Sequence, residues 1–178
     1  MLFVNGLPLA VIELKAPGSE GASVTSAYDQ LQTYKQQVPS LFAYNGVLVT
    51  GDGPQARIGS LSANIERFMP WRTVDGEDVA ERSDAEMTVL VAGALAPGRL
   101  LELLRDFTVF GTAPNGDLIK IVAGYHQYHG TKKAIQATLR ALPTARNLQA
   151  AEAPESFGLP SQATQPRGDK RIGVIWHT

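Results

Sequence analysis

A carboxylate and an amine stand two residues apart in the segment "AVIELKAPGS", which covers residues 10–19. Side chains alternate between the two faces of a β-strand, so Glu13 and Lys15 would project from the same face. Burying either charge alone is costly, and even a buried pair only roughly balances its desolvation. A Mg²⁺ ion would compensate, because it binds one or two carboxylates together with water and phosphate oxygens. The lysine would then orient or deprotonate a metal-bound water and stabilise charge on the phosphate. The same spacing fits an exposed, solvated strand end, and the tripeptide alone does not decide between the two.

The pair lies at the end of a predicted β-hairpin. Two strands, residues 2–4 and 7–15, flank Asn5-Gly6, a dipeptide typical of tight hairpin turns. In the second strand Val11 shares a face with Glu13, while residues 10, 12 and 14 are apolar and share the other face. Apolar residues on both faces predict a central strand that is covered on both sides.

A helix is predicted to follow, over "SVTSAYDQLQTYKQQV". Its apolar residues recur at helical spacing, with Ser23 or Thr25 as N-cap and Pro39 as the stop. Gln30 and Tyr34 lie four positions apart in the sequence and therefore project from one helical face. Gln30 lies at the edge of the apolar stripe, where its amide would either reach a neighbouring polar site or remain exposed.

The remaining elements are predicted from shorter patterns. "LFAYNGVLVTGDG" indicates a second hairpin, or a strand, turn and strand; "ARIGSL" indicates a strand; and residues 64–78 indicate a strand and a loop. "MTVLVAGAL" and "GRLLELLRDFTVF" predict helices separated at Pro97-Gly98, followed by a strand at "TVFGT", a turn at "PNGD" and a helix from about 124 to 142. Residues 143–169 predict a linker or mobile loop, and "RIGVIWHT" predicts a buried strand. Trp71 is predicted to lie in the core.

Composition excludes several classes of protein. The chain has 178 residues, a net charge of −1 and no cysteine. There is no strong basic field of the kind that marks many nucleic-acid-binding proteins, and disulfides and thiolate zinc sites are excluded. The lack of cysteine fits a reducing cytoplasm. No apolar run approaches the ~20 residues of a membrane span, so no membrane association is expected. His126 and His129 lie three residues apart, but no third metal ligand is evident.

Two long segments, "LFVNGLPLAVIELKAP" and "AYDQLQTYKQQVPSLFAYNGVLVTGDG", strongly resemble the R (motor-nuclease) subunit of type I restriction enzymes. The resemblance continues through "IERFMPWRTVDGE", "LLELLRDFTVF" and "IKIVAGYHQYHGTKKAI", and it ends on "RIGVIWHT". It implies an α/β fold, with a restriction-endonuclease-like mixed sheet flanked by helices, followed by the start of a RecA-like motor domain. It also implies a nuclease of the PD-(D/E)xK class, which cuts double-stranded DNA with Mg²⁺, and a motor driven by ATP.

Site residues follow from the resemblance position by position. Glu13 would be the acidic metal ligand, the Leu14 carbonyl a second ligand and Lys15 the catalytic lysine. Gln30 and Tyr34 match the Gln-x-x-x-Tyr element of this nuclease branch, which orients the site and the DNA backbone.

A further position concerns ATP. Tyr125, His126 and Gln127 resemble the segment before the motor, whose glutamine reads the adenine edge. An amide suits that task because it donates and accepts hydrogen bonds at once. Without the resemblance, Gln127 would be interpreted as a solvated helix residue.

Two elements of the family pattern are not found. Residues 1–12 contain no Asp or Glu to match the aspartate of the preceding strand, and the phosphate-binding G-x-x-x-x-G-K-[ST] loop does not occur. The resemblance therefore predicts a fragment that lacks the first part of the nuclease sheet: 1–108 a partial nuclease domain, 109–142 a connection and first motor helix, 143–170 a linker, and 171–178 the first motor strand. Such a fragment is expected to be inactive alone.

The resemblance also implies binding partners, which are double-stranded DNA and the methyltransferase and specificity subunits of a restriction complex.

Two alternative functions remain: a stand-alone Mg²⁺-dependent nuclease of the same superfamily, and a non-catalytic docking module with a nuclease-like fold.

Overall fold

The computed structural model describes residues 1–81 and 85–141 of the chain. Within these ranges it is an α/β structure with a four-stranded mixed sheet, a separate two-stranded sheet and four α-helices. The strands are β1 (Leu2–Val4), β2 (Leu7–Leu14), β3 (Val47–Gly51), β4 (Ala56–Gly59), β5 (Thr108–Thr112) and β6 (Leu118–Val122). The helices are α1 (Val24–Gln37), α2 (Glu86–Gly93), α3 (Pro97–Asp106) and α4 (Tyr125–Ala141).

The predicted hairpin and the central position of β2 are confirmed. Asn5 and Gly6 have φ angles of 49° and 80°, the left-handed values that a tight hairpin turn requires. The strand order is β1-β2-β3-β4, with β2 and β3 parallel and the other neighbours antiparallel. β1 pairs only with the first half of β2, from Leu7 to Ala10. The second half of β2 therefore pairs with β3 on one side and, within the described residues, with no strand on the other.

The sheet is covered on both faces, as the pattern of β2 predicts. One face carries a cluster that joins Val11 and Leu48 of the sheet to Leu31 of α1. The opposite face carries a larger cluster in which Ala10 and Val49 pack with residues of α2, α3 and α4. Trp71, which is 1% exposed, lies in this second cluster, so its predicted core position is confirmed.

The boundaries of α1 follow from local chemistry. Ser23 is the N-cap, and its hydroxyl accepts a hydrogen bond from the Ser26 amide at 3.0 Å. The Ser26 hydroxyl in turn accepts from the Ser23 amide, which completes a capping box. The helix ends at Gln37, two residues before Pro39, as predicted.

Two sequence predictions are wrong. The run before Asn45 is not a strand: Pro39–Phe42 forms a 3₁₀ turn that buries Phe42. Pro39 favours this turn because its ring fixes φ and it has no amide to donate to a ladder. Residues 64–78 contain no strand; they contain a 3₁₀ turn at Ile65–Arg67 and one isolated bridge from Ile58 to Met69.

The second half of the described chain contains one element that the sequence analysis did not assign. Helices α2, α3 and α4 and strand β5 are confirmed, with α3 beginning at Pro97. The additional element is β6, which pairs with β5 across the predicted turn. Its Lys120 carbonyl accepts hydrogen bonds from Ser60 and Ser62, and Lys120 Nζ donates to the Asn45 carbonyl at 2.8 Å. The predicted linker at 143–170 and strand at 171–178 lie outside the described residues.

No single helix among the described residues is long and apolar enough to cross a membrane. One bent pair, Glu86–Gly93 with Pro97–Asp106, meets the criteria of length and composition when the two helices are taken together.

Replacement of Gly93 by alanine should destabilise the fold. A Cβ at Gly93 would collide with the Trp71 ring and lie 2.7 Å from the Thr73 carbonyl oxygen. We expect a loss of about 1–3 kcal/mol in the free energy of unfolding, typical of overpacking. Gly130 is the matched control, since a Cβ there meets nothing within 4 Å. In that helix Gly130→Ala should stabilise by up to about 1 kcal/mol. Urea denaturation of both variants checks the prediction, and equal effects of the two substitutions would contradict it.

Candidate functional site

The Glu13 carboxylate and the Lys15 amine form an ion pair at the end of β2. Lys15 Nζ donates to Glu13 Oε1 at 3.1 Å, and the side chains of Lys15 and Glu13 are 25% and 19% exposed. The sequence prediction that both project from one face is confirmed, and that face is the one covered by α1. The pair is therefore neither fully solvated nor sealed in the core, and solvent and small ions have access to it.

Pairing with β3 fixes the end of β2. Glu13 is opposite Thr50, and the Lys15 amide donates to the Gly51 carbonyl at 2.8 Å, one residue beyond the strand. Successive backbone groups of a strand point to opposite edges. Because the Lys15 amide points to β3, the Leu14 carbonyl points to the edge that β1 leaves unpaired. The Leu14 side chain is exposed.

Helix α1 places Gln30 and Tyr34 on the same side of the sheet as the ion pair. Tyr34 packs against the cluster that contains Val11. Gln30 precedes the fully buried Leu31 and is itself half-buried. In the described part of the chain, neither side chain makes a hydrogen bond to Glu13 or Lys15. The four predicted residues thus come from two elements that meet at one face, without direct polar contact between the elements.

One residue of this region was missed by the sequence analysis. Thr50 is fully buried, and its Oγ1 has no hydrogen-bond partner in the structure. Its position beside Glu13 depends on the register of β2 against β3, which joins segments more than thirty residues apart. No pattern local to "GVLVTGDG" could have indicated that register.

Gln127 lies elsewhere. It is exposed at the start of α4, and its side-chain oxygen accepts a hydrogen bond from the Gly124 amide at 2.9 Å. This is the back-bonding half of a capping box. Gln127 lines a cavity of about 250 Å³ together with Trp71 and Lys120, and neither Glu13 nor Lys15 lines it. The described residues therefore contain two separate candidate regions.

Burial controls the titration of two residues on α4. Burial, supported by a hydrogen bond to Glu102, raises the pKa of Tyr128 to about 12. Burial lowers the pKa of His129 to about 4, and the neighbouring positive charge of Arg99 acts in the same direction. His129 is therefore neutral in the folded protein at neutral pH. Among the described residues, no group of three or more His, Cys, Asp or Glu is placed to hold a metal ion, so the two histidines are not part of such a group.

Comparison with known proteins shows which proteins the chain resembles. Residues 1–67, which include Glu13, Lys15, Gln30 and Tyr34, match the family model "Type I restriction enzyme R protein N terminus". In an alignment of 178 positions that covers 99% of this chain, the sequence is 40% identical to the type I restriction enzyme HindI endonuclease subunit of Haemophilus influenzae. Residues 1–67 thus belong to the R protein N-terminal family, and the chain as a whole is similar to a type I restriction enzyme endonuclease subunit.

A second similar protein is less close in sequence. In an alignment of 193 positions that covers 99% of this chain, the chain is 27% identical to a putative type I restriction enzyme MjaIXP endonuclease subunit of Methanocaldococcus jannaschii. The chain spans 15% of the length of the Haemophilus protein and 16% of that of the Methanocaldococcus protein.

The neutral, buried His129 should make stability depend on pH. The unfolded chain takes up a proton near the ordinary histidine pKa of about 6.5, whereas the folded protein resists protonation until about pH 4. Stability is therefore fully present above pH 6.5 and is lost as the pH falls. From pH 7 to pH 5 we expect a loss of about 1–2 kcal/mol attributable to His129. Urea denaturation at both pH values checks this against His129→Gln, which should show a smaller loss. An equal loss in the variant would contradict the assignment.

Proposed function

We propose that this chain contributes the nuclease site of a type I restriction R protein, which cuts double-stranded DNA with Mg²⁺. The observation that carries the proposal is the Glu13–Lys15 pair, half-buried at the end of a central strand, on the face covered by α1. An ion pair in this position gains little stability over apolar residues. A chemical role explains why the chain retains it in a strand that is otherwise apolar.

The oxygen atoms around Glu13 fit Mg²⁺. The Glu13 carboxylate and the Leu14 carbonyl are hard ligands of the kind that Mg²⁺ prefers, and they belong to consecutive residues at the end of β2. In residues 1–81 and 85–141, no group of three or more His, Cys, Asp or Glu side chains is placed to hold a metal ion. One carboxylate and one carbonyl hold Mg²⁺ weakly, so a tight site requires a further acidic group.

The pairing of β1 with β2 indicates where that further acidic group would lie. Leu2 is opposite Ala10, so continuation of β1 upstream in this register would place Met1 opposite Val11. The second residue upstream of Met1 would then be opposite Glu13 and on the same face, because directly opposed residues of an antiparallel pair share a face. An aspartate there would complete the motif of the family.

The residues of the chain would divide the reaction among them. Glu13 and the Leu14 carbonyl would hold Mg²⁺ at the end of β2. The ion would supply Lewis-acid chemistry to the scissile phosphate and to a water molecule. Lys15 orients the attacking water and offsets the charge that develops on the phosphate oxygens. Gln30 and Tyr34 position the DNA backbone from α1.

The proposal extends to the whole R protein. Residues 1–108 would form part of a restriction-endonuclease-like domain, 109–142 the connection and first motor helix, 143–170 a linker, and 171–178 the first strand of a RecA-like motor. ATP hydrolysis would drive translocation, with Gln127 reading adenine. The partners would be double-stranded DNA and the methyltransferase and specificity subunits, and the location would be the cytoplasm. A non-catalytic docking module with a nuclease-like fold is the alternative.

Substitution of Glu13 tests the nuclease proposal. In the protein made from the full coding sequence, Glu13→Gln should reduce Mg²⁺-dependent plasmid cleavage by at least about a hundredfold, because loss of one catalytic electrostatic group has effects of that size. Glu20→Gln is the control, since Glu20 is exposed in the loop after β2 and should not affect cleavage. The 178-residue chain alone should show almost no nicking. Unchanged restriction by Glu13→Gln would favour the docking module.

Gln127→Glu tests the adenine assignment separately. A glutamate can still accept the Gly124 amide, so the start of α4 and the melting temperature should be preserved. It cannot donate to adenine, so ATP should bind at least about tenfold more weakly to the full-length protein, since an unmatched polar group at such a site costs more than 1 kcal/mol. Titration with ATP and with GTP checks this. Unchanged preference for ATP would show that Gln127 does not read the base.

A further inference from the structure

The side chain of Thr50 is unusual among the polar groups of the sheet. The residue is 0% exposed, and its Oγ1 has no hydrogen-bond partner among the described residues. A hydroxyl buried without a partner loses its hydrogen bonds to water and gains none in return, so the position is unfavourable for the isolated fold. Valine has nearly the same shape without this cost. The Thr50 hydroxyl therefore indicates a hydrogen-bond partner that the described residues do not supply in this arrangement.

The surroundings of Thr50 indicate the direction of that partner. Thr50 is opposite Glu13 in the parallel β2–β3 pair, where neighbouring strands are about 4.8 Å apart. Leu48 and Val11, the preceding pair on the same face, pack in the cluster beneath α1. Thr50 and Glu13 thus continue this row toward the end of the sheet. Glu13 uses Oε1 to bind Lys15 and leaves Oε2 without a partner among the described residues.

We propose that the Thr50 hydroxyl is a positioning group, which donates a hydrogen bond to the Glu13 carboxylate when that carboxylate binds a divalent cation. The inference rests on the proposed nuclease function and adds a residue to its site. A hydrogen bond from Thr50 would fix the Glu13 rotamer, leaving the other carboxylate oxygen for the ion. Outer-shell partners of this kind orient the ligand and raise metal affinity. In the absence of the ion, Lys15 holds the carboxylate and the hydroxyl remains unpartnered.

This role makes stability and metal affinity change in opposite directions. Thr50→Val removes the unpartnered hydroxyl and keeps the shape of the side chain, so the metal-free protein should melt at a higher temperature. The same variant should bind Mn²⁺ about tenfold more weakly, the lower end of the effect of outer-shell substitutions. Thr50→Ser keeps the hydroxyl and loses the buried methyl group. It should melt at a lower temperature than the wild type and retain its Mn²⁺ affinity.

The experiment uses the protein made from the full coding sequence, with Mn²⁺ as the probe. Mn²⁺ binding is followed by electron paramagnetic resonance, melting is measured without metal, and cleavage is measured against Mn²⁺ concentration. Thr73→Val is the matched control, because Thr73 is buried and its hydroxyl accepts a hydrogen bond from the Gly76 amide at 2.8 Å. It should lower the melting temperature without changing Mn²⁺ affinity.

Three results are decisive. Weaker Mn²⁺ binding in Thr50→Val with affinity retained in Thr50→Ser supports the inference, most strongly when the melting temperatures change in the opposite order. Unchanged Mn²⁺ affinity in Thr50→Val, while Glu13→Gln abolishes binding, overturns the role of Thr50 and leaves the metal site intact. Unchanged affinity in Glu13→Gln overturns the metal site itself, and the role of Thr50 with it.

Discussion

The parallel pairing of β2 with β3 is the constraint on which the candidate site depends. It joins the first part of the chain to residues 47–51 across α1, and it fixes Glu13 beside Thr50 and the Lys15 amide on the Gly51 carbonyl. A shift of one residue would turn Glu13 toward the opposite face, into the apolar cluster around Trp71. The helix between the two strands then covers the face on which Glu13 lies. The position of α1 and the geometry of the candidate site therefore depend on the same pairing of β2 with β3.

The two faces of the sheet have different tasks. The face beneath α1 carries the Glu13–Lys15 pair and the smaller of the two clusters. The other face carries α2, α3 and α4, whose side chains form the larger cluster around Trp71. Gln127 and its cavity belong to the side where β6 and α4 meet β4. Glu13 and Lys15 do not line that cavity, whose lining includes Ala63 of the smaller cluster and Trp71 of the larger one.

The sequence predicted what is decided locally. The Asn5-Gly6 turn, the capped helix α1 and the two-sided burial of β2 each follow from neighbouring residues, and all three are confirmed. The prediction of a strand before Asn45 was wrong because apolar composition does not distinguish a strand from a 3₁₀ turn that buries Phe42. β6 was missed because its partner strand and the anchoring of Lys120 are tertiary features. Family resemblance indicated Glu13, Lys15, Gln30 and Tyr34 as site residues, and their roles remain predictions. Thr50 could be recognised as a neighbour of Glu13 only from the register between two strands that are distant in sequence.

Within the described residues, the second half of β2 is paired on one side only. From Val11 to Leu14 its outer edge offers backbone donors and acceptors to whatever strand comes near, and the Leu14 side chain there is 59% exposed. An unpaired strand edge is a template for a further strand, from the same chain or from a neighbouring copy. Because the edge runs past Glu13, a strand that paired there would place its own side chains beside the Glu13–Lys15 pair. The pairing of this edge and the surroundings of the candidate site therefore depend on the same few backbone atoms.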